Sequence, residues 1–246
     1  MATNALRPQV PVVRTRPNNP LWDRTFFSSM ILVLWALVLY GFSRTYFLAG
    51  MVRAPLPNTL IHVHGAAFTL WMVLLFVQTA LISAHRVLWH KRLGLFGFAL
   101  AVAMVILGLL AATDALRRGS GPLGLSPATF YVIPVTDMVL FGIFIFFSYC
   151  LRSKPAAHKR LILIATIGLT GAAVGRFPGF FHANPRLQDL VPLVLLLTIA
   201  LYDRISLGRV QRTTLWAGGT LMVVHLARIP LAFTPAWQAF ARSMHG

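Results

Sequence analysis

Seven apolar runs divide this chain, and each is close to the ~20 residues that carry a helix across a hydrocarbon layer. They fall at about 26–48, 60–83, 93–113, 129–151, 160–181, 189–206 and 214–234. A membrane-spanning strand needs only about 9–11 residues, and backbone groups in lipid must be satisfied internally, so runs of this length read as helices. The expected fold is an all-α polytopic bundle of about seven transmembrane helices. Composition agrees: 57% of residues are hydrophobic and 11% charged, where a soluble domain carries about 25% charged residues. No polar stretch is long enough to form a second domain. Residues 1–25 read as a basic, mobile arm and 26–246 as a single transmembrane domain. The first 19 residues lack the apolar core of a cleavable signal, so the first span reads as an uncleaved anchor.

The net charge is +17, from 22 basic and five acidic side chains, and there is no glutamate. Most basic residues flank apolar runs. That pattern points to anionic lipid headgroups and positive-inside topology rather than to nucleic acid. With the N-terminus inside and the C-terminus outside, fourteen of the 22 fall on the inner side, leaving eight outside. The expected location is a cell membrane of the bacterial inner type. The single cysteine, Cys150, excludes a disulfide framework or a multi-cysteine metal centre.

Ionisable side chains within spans are rare and usually functional. In this topology they gather in the outer half: His62 and His64 in the second span, Asp137 in the fourth, Arg176 and His182 at the end of the fifth, His225 and Arg228 in the seventh. Asp114 and Asp189 stand at outer helix ends. Asp137 reads as the only acidic residue deep inside a span, suited to a proton relay, a counter-ion or a metal ligand. Residues two apart on a helix are about 200° apart, so His62 and His64 cannot both face the bundle. His64 shares a heptad stripe with Trp71 and Gln78, and is expected inward. His85, His90 and His158 lie among lysines and arginines and read as solvated inner-loop residues.

Three functional classes remain open. His64 and His225 as axial ligands would hold a b-type haem for electron transfer, with Arg176 and Arg228 on its propionates and Trp71 lining the pocket. A redox protein or a quinone would then be its partner. Alternatively His62, His64, His182, His225 and Asp137 would supply zinc or copper ligands for a membrane enzyme or transporter. In the third class the polar groups form a structural network, with Asp137 paired to Arg176 or Arg228, in an accessory subunit. A retinal protein is excluded, because Lys91, Lys154 and Lys159 are the only lysines and none lies in the seventh span. His225 has Ile229 four residues on, so the paired last-helix histidines of seven-helix zinc hydrolases are missing.

The segment "HKRLG" at His90–Gly94 recurs as "HKRLI" at His158–Ile162. A duplicated helix hairpin and a repeated interfacial anchor both account for it. The order His64-Gly65-Ala66, Gln78, His90-Lys91-Arg92-Leu93-Gly94 and His158-Lys159-Arg160, then Ala172-Ala173 to Arg176, resembles an uncharacterised family of bacterial multi-pass membrane proteins. That family places W-M where this chain has Leu161-Ile162. The resemblance implies a helical membrane fold. Histidine placement is more loosely similar to b-type membrane cytochromes, which implies haem held between facing helices.

The charge bias makes a direct prediction. Alkaline phosphatase fused after Gly246 will be active and a fusion after Arg209 inactive; the reverse pattern would invert the topology.

Overall fold

A computed structural model describes residues 20–49, 51, 55–121, 125–178 and 188–245. Helix α1 (Pro20–Phe42) runs into a π-helical turn (Ser43–Phe47). There follow α2 (Thr59–Ser83), α3 (Val87–Arg117), α4 (Pro127–Cys150), α5 (Pro155–Gly168) and α6 (Thr170–Val174). The chain ends in α7 (Leu190–Leu207), α8 (Arg212–Ala232) and α9 (Pro235–His245). No strand occurs among the described residues. Among the described residues, seven stretches are long and apolar enough to cross a membrane: α1 with its π turn, α2, α3, α4, α5 with α6, α7, and α8. The chain is an all-α, multi-pass integral membrane bundle. Large apolar side chains such as Phe146, Leu197 and Leu226 point outward, more than half exposed, as a lipid-facing surface requires.

The helices start where local chemistry allows. Proline opens α1, α4, α5 and α9, where its missing N–H is no loss and its fixed φ suits the first turn. Asn58 caps α2 by accepting from the Ile61 N–H, and Ser126 caps α4 by accepting from the Thr129 N–H, each satisfying one orphan donor. One interval separates Asn58 from Ser126, Thr59 from Pro127, Val87 from Pro155 and His90 from His158. Caps, helix starts and motif thus repeat together. A duplicated α2–α3 and α4–α5 hairpin accounts for that; a repeated anchor motif alone does not.

Contacts fix which helix ends lie together. Arg24 on α1 meets the His85 ring just after α2 at 3.3 Å, which defines one end of the bundle, here the arm end. At the opposite, far end Asn58 donates to Asp114 at 2.9 Å. Amphipathic α9 closes that end over α3 and α4, where the Trp237 indole donates to the Ala128 carbonyl at 2.9 Å. Helix α5 with α6 forms the centre. Within its most apolar window 67% of residues are buried, against at most 44% for the other spans. Small residues permit this. A Cβ on Gly41 of α1 would strike the Ala173 carbonyl, and one on Gly168 would lie 3.1 Å from Leu221. Leu34, Met104, Phe144, Leu161, Ile164, Ile167 and Ile199 are wholly buried around this axis.

Three sequence expectations need correction at the arm end. Arg160 reads as a loop cation, but α5 begins at Pro155 and carries Arg160 in its second turn, 1% exposed. Asp137 is not the only deep acid: Asp203 on α7 is wholly buried. Arg160 and Asp203 form an ion pair, with the Arg160 Nε–H donating at 3.1 Å. Asp203 also accepts from the Thr214 hydroxyl at 2.6 Å and from the Gln211 N–H at 3.1 Å. Beside it Asp23 pairs with Lys159 and accepts from the Tyr202 hydroxyl at 2.9 Å. Asp23 lies in the segment read as an arm, but α1 already begins at Pro20. This network joins α1, α5, α7 and α8. The fifth span is interrupted at Leu169, between α5 and α6.

Removing one member of a buried pair strands the other charge, at a cost of about 3–5 kcal/mol. Asp203→Asn is expected to lose that much in denaturant unfolding from micelles. The double change Arg160→Met with Asp203→Leu is expected to recover most of it. A loss below about 1 kcal/mol for the single variant would mark the pair as solvated.

Candidate functional site

Four ionisable side chains converge in the far half of the bundle. Helix geometry puts His225 and Arg228, three residues apart on α8, on one face, and both are buried, at 2% and 5% exposure. Asp137 faces them from α4, about 15 Å along that helix at 1.5 Å per residue. Asp189 faces them from the residue that precedes α7.

Each carboxylate serves both α8 side chains. Asp137 Oδ1 accepts from Arg228 Nη1 at 3.1 Å and lies 3.6 Å from His225 Nε2. Asp189 Oδ1 accepts from Arg228 Nη2 at 2.6 Å and meets His225 Nδ1 at 3.0 Å. The imidazole is therefore flanked by a carboxylate at each ring nitrogen. The contact at Nε2 is beyond hydrogen-bond length, and this nitrogen is buried without a hydrogen-bond partner among the described residues. The Asp189 side chain is 22% exposed and that of Asp137 only 7%. The quartet thus runs from an accessible carboxylate, through a histidine, to an inaccessible one.

Charge counting shows what the quartet can do. Two carboxylates and one guanidinium leave one negative charge if the imidazole is neutral. An uncompensated charge in such surroundings is costly. One proton, on His225 or on a carboxylate, balances the set. A histidine bonded at one nitrogen can take a proton there and release one from the other.

The remaining predicted residues are distributed as follows. His64 turns inward against Phe68, with ring centroids 4.2 Å apart, and its Nδ1 is buried without a hydrogen-bond partner among the described residues. His62 turns outward; its ring stacks on Tyr46, whose hydroxyl donates to the His62 carbonyl at 3.2 Å. Trp71 is core rather than pocket lining: its indole donates to Thr166 at 3.2 Å and it packs edge-on to Phe141. Arg176 does not pair with Asp137; its guanidinium bonds the Ala172 carbonyl and lies 4.5 Å from the centre of the Phe42 ring. His182 lies outside the described residues. His90 and His158 sit in the first turns of α3 and α5, half-buried rather than in loops, and His158 Nδ1 lies 2.8 Å from the Ser148 hydroxyl.

A haem iron at His225 Nε2 would have to displace Asp137. Helix α8 packs on α4, α5 and α7, while α2 packs on α1 and α3, so His64 is not presented as the facing ligand. For zinc or copper, Asp137, Asp189 and His225 are suitable donors, but the Arg228 guanidinium already stands between the two carboxylates. No group of three or more His, Cys, Asp or Glu side chains arranged to hold a metal ion occurs among the described residues. Asp189 is the member that sequence reasoning undervalued, as a mere helix end. The signal was available: with five carboxylates in the chain, each one near an apolar run calls for a partner. A comparison with protein-family models finds no match, and neither the curated proteins nor the solved structures yield one.

Proposed function

We propose that this is a proton-linked membrane transport protein, with the His225–Asp137–Arg228–Asp189 quartet as its proton-binding site. The observation that carries this reading is the imidazole held between an accessible and an inaccessible carboxylate. A proton arriving at Asp189 passes to His225 Nδ1, and the ring releases its other proton from Nε2 to Asp137 once the 3.6 Å gap closes by a few tenths of an ångström. Arg228 keeps both carboxylates in place throughout. In the positive-inside topology the quartet faces the outer leaflet, so protons enter from outside.

Linkage to transport follows from which helices are shared. The quartet clamps α4, α7 and α8 at the far end, and the Arg160–Asp203 network clamps α1, α5, α7 and α8 at the arm end. Helices α7 and α8 belong to both. Protonation that loosens α7 from α8 at one end therefore bears on their anchorage at the other. Ile199, Leu196 and Leu221 pack between the two networks, at most 6% exposed.

In proteoliposomes, acidification is expected to produce an infrared carbonyl band of a protonated carboxyl in an apolar setting. Asp137→Asn will abolish that band and Asp114→Asn will leave it unchanged. Asp189→Asn will slow its appearance after a pH jump, because the accessible entry group is gone. A wild-type protein without the band, or a band that survives in Asp137→Asn, would overturn the proposal.

A further inference from the structure

We infer that the species exchanged against the proton at the quartet is an organic ammonium ion, bound at Asp189. This rests on the proton-binding reading above and names a substrate class for the same site. With a neutral imidazole, Asp137, Asp189 and Arg228 together carry one negative charge. The charged groups on the helices packed against α8 do not relieve it. Asp137 is the only one on α4. On α5, Lys159 pairs with Asp23, Arg160 with Asp203 of α7, and His158 meets Ser148, all at the arm end. Arg204 of α7 bonds the Gly208 carbonyl. Arg212 opens α8 at the arm end, and Arg242 and His245 are exposed in the last turn of α9. One added positive charge neutralises the quartet and a second overloads it, which is costly in an apolar interior. A proton and a bound cation therefore exclude each other.

The geometry leaves a seat for that cation. Arg228 and His225 both engage Asp189 through Oδ1, at 2.6 and 3.0 Å. Oδ2 accepts no hydrogen bond among the described residues, and the side chain is 22% exposed. The buried end shows that positive charge is missing. The His225 ring has no exposed surface, and its Nε2 is unpartnered 3.6 Å from Asp137 Oδ1. A hydrogen there has no acceptor in range, and a lone pair there faces a carboxylate oxygen. Unpartnered buried polar atoms are rare in folded proteins. An inorganic cation suits the seat poorly, because it needs several oxygen ligands. No three His, Cys, Asp or Glu side chains among the described residues are arranged to hold a metal ion. An ammonium group makes a charge-assisted hydrogen bond to a single carboxylate oxygen, and Asp189 offers one.

In the exchange an ammonium N–H bonds Asp189 Oδ2, and the proton held by the quartet leaves through Asp189 to water. No other bond changes, so the exchange is one for one and electroneutral. Delipidated, full-length protein in detergent is titrated with ethylammonium chloride in weakly buffered solution. Binding is read by calorimetry and released protons by a pH-indicator dye. The wild type is expected to bind ethylammonium saturably, to release about one proton for each ion bound, and to lose affinity about tenfold per pH unit once the quartet is protonated. Asp189→Asn is expected to weaken binding at least about tenfold. Asp114→Asn will leave it unchanged. Sodium chloride is expected to give no saturable release; equal release by sodium overturns the ammonium assignment. Release by dioleoyl phosphatidylethanolamine but not by ethylammonium places a lipid headgroup there and overturns the soluble substrate. A wild type that shows the protonated-carboxyl band yet does not bind ethylammonium keeps the proton site and overturns this inference; without the band both fall. Should Asp189→Asn fail to fold, the wild-type pH series decides, since an affinity independent of pH contradicts the exchange.

Discussion

Five carboxylates must neutralise whatever charge this protein keeps inside the bilayer, and every buried ion pair depends on that short supply. A charge in a low-dielectric interior is tolerated only with a partner and with its remaining hydrogen bonds met. Asp203 shows the requirement fully satisfied, with Arg160, Thr214 and the Gln211 N–H around it. Asp137 and Asp189 show it left one proton short, since two carboxylates share one guanidinium. The difference separates a structural clamp from the site that we propose exchanges protons.

The two networks stand at opposite ends of an apolar core. The chain gains rigidity from the arm-end clamp, where four helices meet on two adjacent acids. It keeps adaptability at the far end, where the helix through α5 and α6 is interrupted at Leu169 and α1 relaxes into a π-helical turn. Interruptions of this kind loosen the local hydrogen-bond ladder and often accompany functional sites.

The spans themselves were legible in the sequence, because hydropathy over some twenty residues has few alternative explanations. The split between His62 and His64 was legible too, from 100° per residue alone. Burial was harder to read. The fifth span is the least apolar of the seven yet the most buried, since it faces other helices rather than lipid and uses small residues to do so. Arg160 was hidden by its neighbours: in "HKRL" a basic residue at a span margin reads as a headgroup anchor, and only tertiary packing reveals Asp203 as its partner. Asp189 was hidden likewise, as a helix-end acid whose partners lie some 36 and 39 residues away in sequence. Trp71 was placed on the correct face, but periodicity does not say what a face touches.

The account turns on whether His225 exchanges a proton with its flanking carboxylates. The most direct measurement is solid-state nitrogen NMR of the protein labelled with 15N-histidine, in lipid bilayers across a pH series, with His225→Gln to assign its resonances. The account predicts that both ring-nitrogen resonances of His225 move with pH and that Asp137→Asn abolishes the response. A His225 ring fixed in one neutral tautomer at every pH would contradict it.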